Sequence, residues 1–432
     1  MKHTLFTCLI FLFTTQLTSK EFPDIISYPE IRGSAIIKKI NSFTNGDLIL
    51  IGENTPKGEK KKNIFIIKTN KTGDIIWKKE FFSERVLAIN DFLIDSNNNI
   101  IIAAEQYEEG NRESLFLLGL NADGEKLFSQ HYNEGNGEIE AYDIEIDKNG
   151  GFLITGFCKI SEIISNSFFN MMKEDQFLYL LKINSLGEKI WSKYIKEDYY
   201  EASGNKIIID DNSYTNIFSN NHKNNKENRI KLITSVENKE FHEYELLTKK
   251  NAILSDVLYH DTDFYLTGIL INREASKDNY DIFVMKINKN YKTIFSKIIK
   301  TNNNDWATGI EIKEDGNIIL FGQIKKDNKK QISLIELNQK GSLLSVKTSN
   351  YSEQHISITD GANIKNQILL TGSHWKGKKT SIIINGNSLN NNEENIQVKD
   401  GDFNFQKLRK DNYINLTKKE IISPVNIQEW KY

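Results

Sequence analysis

The amino-acid sequence predicts an all-β protein, a single seven-bladed β-propeller built from four-stranded antiparallel blades, and three recurring features predict it. The first is a short run of β-formers closed by a small residue, seen as DLILIG at Gly52, NIIIAA at Ala104, GFLITG at Gly156, YTNIFS at Ser219, DFYLTG at Gly268, NIILFG at Gly322 and QILLTG at Gly372. Its period of about 50 residues is that of a repeat architecture. The second is an alanine 15 to 17 residues upstream in six units: Ala35, Ala88, Ala141, Ala202, Ala252 and Ala307. The third is an alternating strand ending in asparagine, as in IFIIKTN to Asn70, LFLLGLN to Asn121, LYLLKIN to Asn184, IFVMKIN to Asn288 and ISLIELN to Asn338. Length agrees: 432 residues with four prolines and no Gly/Ser-rich or Pro-rich linker exceed what one compact core holds.

At the N-terminus, Lys2 and His3 precede an apolar run from Leu5 to Phe13, and small residues follow up to Ser19. Residues 1–19 therefore read as a signal peptide, because the apolar run is too short to span a bilayer. Cys8 lies inside that run rather than after it, so a lipid anchor is not expected. Cys158 is the other of the two cysteines and would be alone in the mature chain, which excludes an internal disulfide. Export without disulfides fits a bacterial periplasm or cell surface.

The propeller is expected over 20–402, with blades near 33–82, 83–133, 134–197, 198–250, 251–301, 302–349 and 350–400. In each, the alanine strand (A) leads through a polar turn into the short apolar strand (B). A variable loop then leads to the Asn-ended strand (C), and an N-x-x-G turn to a lysine-bearing strand (D). Asparagine caps such a turn through its side chain, and glycine accepts the positive φ. The small residue on strand A is expected to face the crowded channel. The segment Ile160 to Met172, in the longest B–C loop, has the one helical periodicity. Closing the ring needs a strand at the seam, for which Phe22–Ile31 and Asn395–Lys399 compete. Residues 403–432 break the repeat and are expected to pack as a closing tail.

After the N-x-x-G turns, the motif G-[DE]-x-[IL]-[WF] occurs at Gly73–Trp77, Gly124–Phe128 and Gly187–Trp191. It resembles the blade signature of pyrroloquinoline-quinone-type propellers and their cofactor-free relatives, and the exported propeller-repeat proteins of Bacteroidota-like bacteria. The resemblance implies that Trp77, Phe128, Trp191 and Phe295 dock one blade on the next, a packing role rather than a cofactor site. Unit 6 departs with Ser345, and unit 4 lacks both the glycine and a clean aromatic.

Chemical motifs are sparse. Gly372–Thr380 misses the phosphate-loop pattern at Lys379 and joins two strands rather than opening a helix. The acidic A–B turns at Asp95, Asp147, Asp210 and Asp261 lack the later bidentate glutamate of an EF-hand, so capped hairpins are expected rather than calcium sites. The histidines have no zinc spacing, and Cys158 follows an apolar strand as an inert thiol would. Lys+Arg 56 against Asp+Glu 58 gives a net charge of −2, which supplies no field for nucleic acid. No metal and no cofactor is expected, and a monomer without a transmembrane segment is. Ligands are expected at the loops entering strand A, where Arg85, Glu140, Tyr200, Asp305, Trp306 and His355 lie. The expected function is an exported, non-catalytic binding or scaffold propeller for a saccharide or peptide. The alternative is a glycan-active or quinone-linked enzyme at the channel mouth.

Overall fold

The computed structural model describes residues 23–407, apart from 29–30, 32, 60–61, 82–86, 108–112, 134–136, 167–168, 197–198, 211–212, 223–227, 237–239, 248–250, 275–276, 301–303, 327–328, 350–355, 376–378, 392–395 and 401–402. The signal peptide, Cys8, Arg85, His355 and tail residues 408–432 lie outside the described residues.

Seven antiparallel sheets form a seven-bladed propeller, as the repeat predicts. The innermost strands, A, are Ser34–Ser42, Leu87–Ile94, Gly137–Ile146, Tyr199–Asp210, Asn251–His260, Trp306–Ile312 and Ile356–Ile364 in blades 1 to 7. The ring is closed by the N-terminal segment. Ile25–Ser27 pairs antiparallel with Lys379–Asn385 and becomes the outer strand of blade 7. The competing C-terminal segment does something else. After a short 3-10 turn at Gly386–Ser388, the chain runs backwards around the outside of the ring. There it adds a fifth strand to blade 6 (Asn390–Asn391), then blade 5 (Gln397–Asp400), then blade 4 (Asn404–Lys407).

The small residue of strand B lies within the strand, not at its end, and its cause is a bulge on strand A. Strand A shifts register against strand B between Ile37 and Lys39, Ile89 and Asp91, Ala141 and Asp143, Ser203 and Lys206, Leu254 and Asp256, Ala307 and Gly309, and Ile358 and Asp360. Each extra residue bends strand A and turns a backbone carbonyl towards strand B. A Cβ on Gly156 would lie 1.9 Å from the Glu140 carbonyl oxygen, and one on Gly372 1.9 Å from that of Ser357. Nothing larger than glycine fits there without moving backbone.

Five C–D turns share one capping pattern. The side-chain oxygens of Asn70, Asn121, Asn184, Asn288 and Asn338 each accept the backbone N–H groups two and four residues on. The aromatic of one blade then meets the turn of the next. Trp77 Nε1 donates to the Ala122 carbonyl at 3.2 Å. The rings of Phe128 and Phe295 crowd Gly187 and Gly341, and Trp191 packs on the apolar cluster joining blades 3 and 4.

Two expectations are corrected. Ile160 to Met172 is not helical: Phe152–Asn166 and Phe169–Ile183 form one long hairpin in which Ile163 pairs with Met172 and Ile164 with Met171. The ladder of strands B and C simply continues past the blade body, and its backbone pairing outweighs a short apolar period that fits either structure. Four of the strand-A alanines do not face the channel. Ala35, Ala141, Ala252 and Ala307 are buried in the apolar clusters between neighbouring blades, because the residue alternation before each bulge points them sideways. The channel is lined instead by ionisable side chains.

Candidate functional site: the central channel

Downstream of the bulges, the seven inner strands enclose a cavity of about 520 Å³ on the side of the A–B turns. Its charged lining is Lys39, Asp91, Glu145, Lys206, Asp256, Glu311 and Asp360. The bulge produces this lining. It offsets the alternation by one residue, so that the next position points inwards: Lys39, Asp91, Asp143, Lys206, Asp256 and Asp360 in six blades and Gly309 in blade 6.

Four aspartates each latch their own blade to the next. Asp360 accepts the Ile40 N–H at 3.0 Å, Asp91 that of Ile144 at 3.4 Å, Asp143 that of Ile207 at 2.7 Å and Asp256 that of Ile310 at 3.0 Å. Strand A is the inner edge of its sheet, so alternate N–H groups have no ladder partner, and the neighbouring carboxylate satisfies these four, as buried donors require. Where blades 1 and 4 carry lysine, the charge is used laterally. Lys39 Nζ lies 3.1 Å from Asp91, and Lys206 Nζ lies 2.6 Å from Asp143 and 4.0 Å from Asp91.

Protonation divides the ring. Burial opposes charge at every position, but Lys39 and Lys206 hold the Asp91 carboxyl well below the ordinary carboxylate range. Asp143 is raised by burial and by the charge of Asp91, so the pair takes up its first proton on Asp143. On the far arc no lysine makes contact among the described residues. Burial raises Asp256, raises Asp360 to about 6, and with the charges of Asp256 and Asp360 raises Glu311 to about 8. On the near arc the lysines hold Asp91 ionised while burial raises Asp143 and Glu145; on the far arc the carboxyls are all raised.

The residues expected at the opposite face do not join this cavity. Trp306 is half-buried beneath Lys330, whose Nζ sits 4.6 Å from the ring centroid. Asp305 is 1% exposed, and its backbone N–H donates to Tyr280 at 3.0 Å. Glu140 is engaged by Lys159 at 3.0 Å and by the Tyr142 hydroxyl. Tyr200 lies on strand A of blade 4, and Arg85 and His355 fall outside the described residues. The channel residues were missed although a signal for them exists. Lys39, Asp91, Asp143, Lys206, Asp256 and Asp360 stand twelve or thirteen positions ahead of the small residue on strand B, and Glu145 and Glu311 eleven, a narrow place in the repeat where an ionisable side chain interrupts apolar alternation.

No protein-family model and no curated protein matches the chain. Among solved structures it is similar to the polysaccharide lyase Uly1, with a TM-score of 0.51 and 11% identity over 82% of this chain and 90% of that one. It also matches the extracellular region of plexin A4, with a TM-score of 0.47 and 9% identity over 81% of this chain and 50% of that one. The corresponding figures for Drosophila semaphorin 1b are 0.44, 7%, 82% and 87%. At such identities the first likeness is one of fold. The chain is a β-propeller with a charged, partly open channel.

Proposed function

We propose that the protein is a non-catalytic binding propeller of the cell envelope or extracellular space, whose channel takes the cationic side chains of a peptide. The carrying observation is the far arc, where Asp256, Glu311 and Asp360 line the cavity with no lysine in contact among the described residues. A lysine or arginine side chain entering there replaces the protons that burial now retains. The export-signal pattern and the likeness of the blade motif to cofactor-free propellers support the reading. Glycan cleavage, the activity in the name of Uly1, needs acid and base groups free to move protons. In this channel the latching aspartates are held by backbone N–H groups or lysines.

Titration against arrays of basic peptides, acidic peptides and polysaccharides, with turnover followed on the polysaccharides, tests this. Basic peptides bind, and more tightly as the pH rises from about 6 to about 8.5, since Glu311 loses its proton near 8. Glu311→Gln weakens that binding about tenfold, ~1.4 kcal/mol, whereas Trp306→Ala leaves it unchanged. The opposite pattern would place the ligand on the strand-entry face around Trp306. Polysaccharide turnover would end the binding reading.

A further inference from the structure

One seam of the ring departs from the repeat at three positions, and all three departures are tyrosines. Three residues after the inward position of strand A, blade 5 has Tyr259, where the other blades have Ser42, Ile94, Ile146, Ile209, Ile312 and Asn363. In its capped C–D turn, blade 5 has Tyr291 at a φ of 61°, where the other four such turns have Gly73, Gly124, Gly187 and Gly341. A bulky side chain is costly at positive φ, and glycine is not. At the fifth residue of strand D, blade 4 has Tyr244, where Lys79, Gln130, Lys193, Lys297 and Lys347 stand elsewhere.

These tyrosines meet along the seam between blades 4 and 5. Tyr259 lines the channel cavity, and its ring centroid is 4.9 Å from that of Phe264. Phe264 lies 5.8 Å from Tyr291, and Tyr291 lies 4.6 Å from Tyr244 on the outer strand of blade 4. The hydroxyls of Tyr291 and Thr215 are 3.1 Å apart, which ties the turn of blade 5 to blade 4. Phe264 is buried, but each tyrosine is only half-buried, so a strip of ring surface runs from the cavity to the rim. Blade 4 has His242 where Trp77, Phe128, Trp191 and Phe295 dock one blade on the next, and a single ring would fill that place. This seam has four rings and reaches the channel. Exposed acids flank its inner end: Asp210 at the A–B turn of blade 4, and Asp261, 86% exposed beside His260, at that of blade 5.

We propose that this strip binds the residues beside the cationic side chain, so that the ligand is a peptide whose lysine or arginine is flanked by aromatic or large apolar residues. The proposal rests on the reading of the channel as a site for cationic side chains. Tyrosine rings offer large, rigid contact area at little cost in side-chain entropy. The exposed acids complement a basic segment and steer it to the inner end of the seam. Because Tyr259 belongs to both cavity and strip, one short segment engages both: its cation enters beside Asp256 while its neighbours lie on Tyr259 and Tyr291.

Titration of the full chain with two peptides, Gly-Gly-Lys-Gly-Gly and Gly-Trp-Lys-Trp-Gly, both acetylated and amidated, tests this. The tryptophan-flanked peptide should bind at least about tenfold more tightly. Glu311→Gln should weaken both alike and keep their ratio. Tyr259→Ile and Tyr244→Gln place on the seam residues that other blades carry, and together they should bring the ratio to within about twofold of one. Equal binding of the two peptides by the unaltered protein would overturn the strip and leave the channel reading standing, whereas binding of neither would overturn both. A ratio that survives the paired tyrosine variant would also overturn the strip. A second measurement needs no variant to fold. With photoreactive benzoylphenylalanine in place of tryptophan, the peptide should cross-link the unaltered protein at Tyr244, at 259–264 or at Tyr291. Labelling confined to other segments would overturn the proposal.

Discussion

Two arcs of the same channel solve the burial of charge differently. In blades 1 to 4, Lys39, Asp91, Asp143 and Lys206 form a contiguous ion-pair network. In blades 5 to 7, Asp256, Glu311 and Asp360 face the cavity without a lysine at contact distance among the described residues. Both arcs use the same latch, an inward carboxylate that accepts an N–H of the next strand A. The geometry of the repeat therefore fixes the position after the bulge, while the residue there decides whether a latch forms: aspartate in blades 2, 3, 5 and 7, lysine in blades 1 and 4, glycine in blade 6. Lysine gives a permanent solution. Protons give one that a cationic ligand or a rise in pH can displace.

The largest effect that would break the comparison is on the lysine arc. Lys206→Met leaves Asp91 and Asp143 buried without their shared cation and should cost ~3–5 kcal/mol, read as a fall in the urea midpoint. Adding Asp143→Asn, which removes the carboxylate closest to Lys206 and leaves Asp91 paired with Lys39, should restore a large part of it. A loss that persisted in the double variant would mean that the Lys206 stem packs rather than neutralises.

A pH dependence sharpens the other arc. The folded chain holds a proton on Glu311 up to a pH of about 8, whereas the unfolded chain releases it near the ordinary glutamate value of 4.5. Unfolding thus becomes easier as pH rises through that window. Glu311→Gln removes this contribution, so the wild-type urea midpoint should fall relative to the variant's between about pH 5 and pH 8. Parallel curves for the two proteins would contradict the buried, proton-holding glutamate.

The smallest effect belongs to the latch itself. In Asp256→Asn the amide oxygen still accepts the Ile310 N–H and no charge remains buried, so the thermal midpoint at neutral pH should change by less than ~1 kcal/mol equivalent. Asp256→Ala, which orphans that N–H, should cost about 1–3 kcal/mol. Equal effects for the two would show that the hydrogen bond is not what Asp256 contributes.

Much of the architecture was legible because it rests on local chemistry. The N-x-x-G turns form where an asparagine side chain takes N–H groups two and four residues on, a contact that needs no tertiary neighbour. The glycine of strand B marks a carbonyl on the adjacent strand of its own hairpin. The period of about 50 follows from repeating those signals, and seven blades follow from counting them. The hairpin at 152–183 escaped because its short apolar period suits either structure, and only pairing along its whole length decides between them.

What the sequence by itself determined, then, is the blade, its turns and their number, since each depends on residues close along the chain. Tertiary structure alone decided the rest. Ile25–Ser27 closes the ring because it meets Lys379–Asn385, more than 350 residues away, and no local pattern in either segment encodes the other. The tail becomes a strap because the outer edges of blades 6, 5 and 4 lie in its path. The channel acquires its character only when seven strands converge, bringing Lys39 within 3.1 Å of Asp91 and Lys206 within 2.6 Å of Asp143. Along the chain these residues lie about 50 positions apart or more; ring closure makes them one electrostatic unit, because burial strengthens every interaction among them.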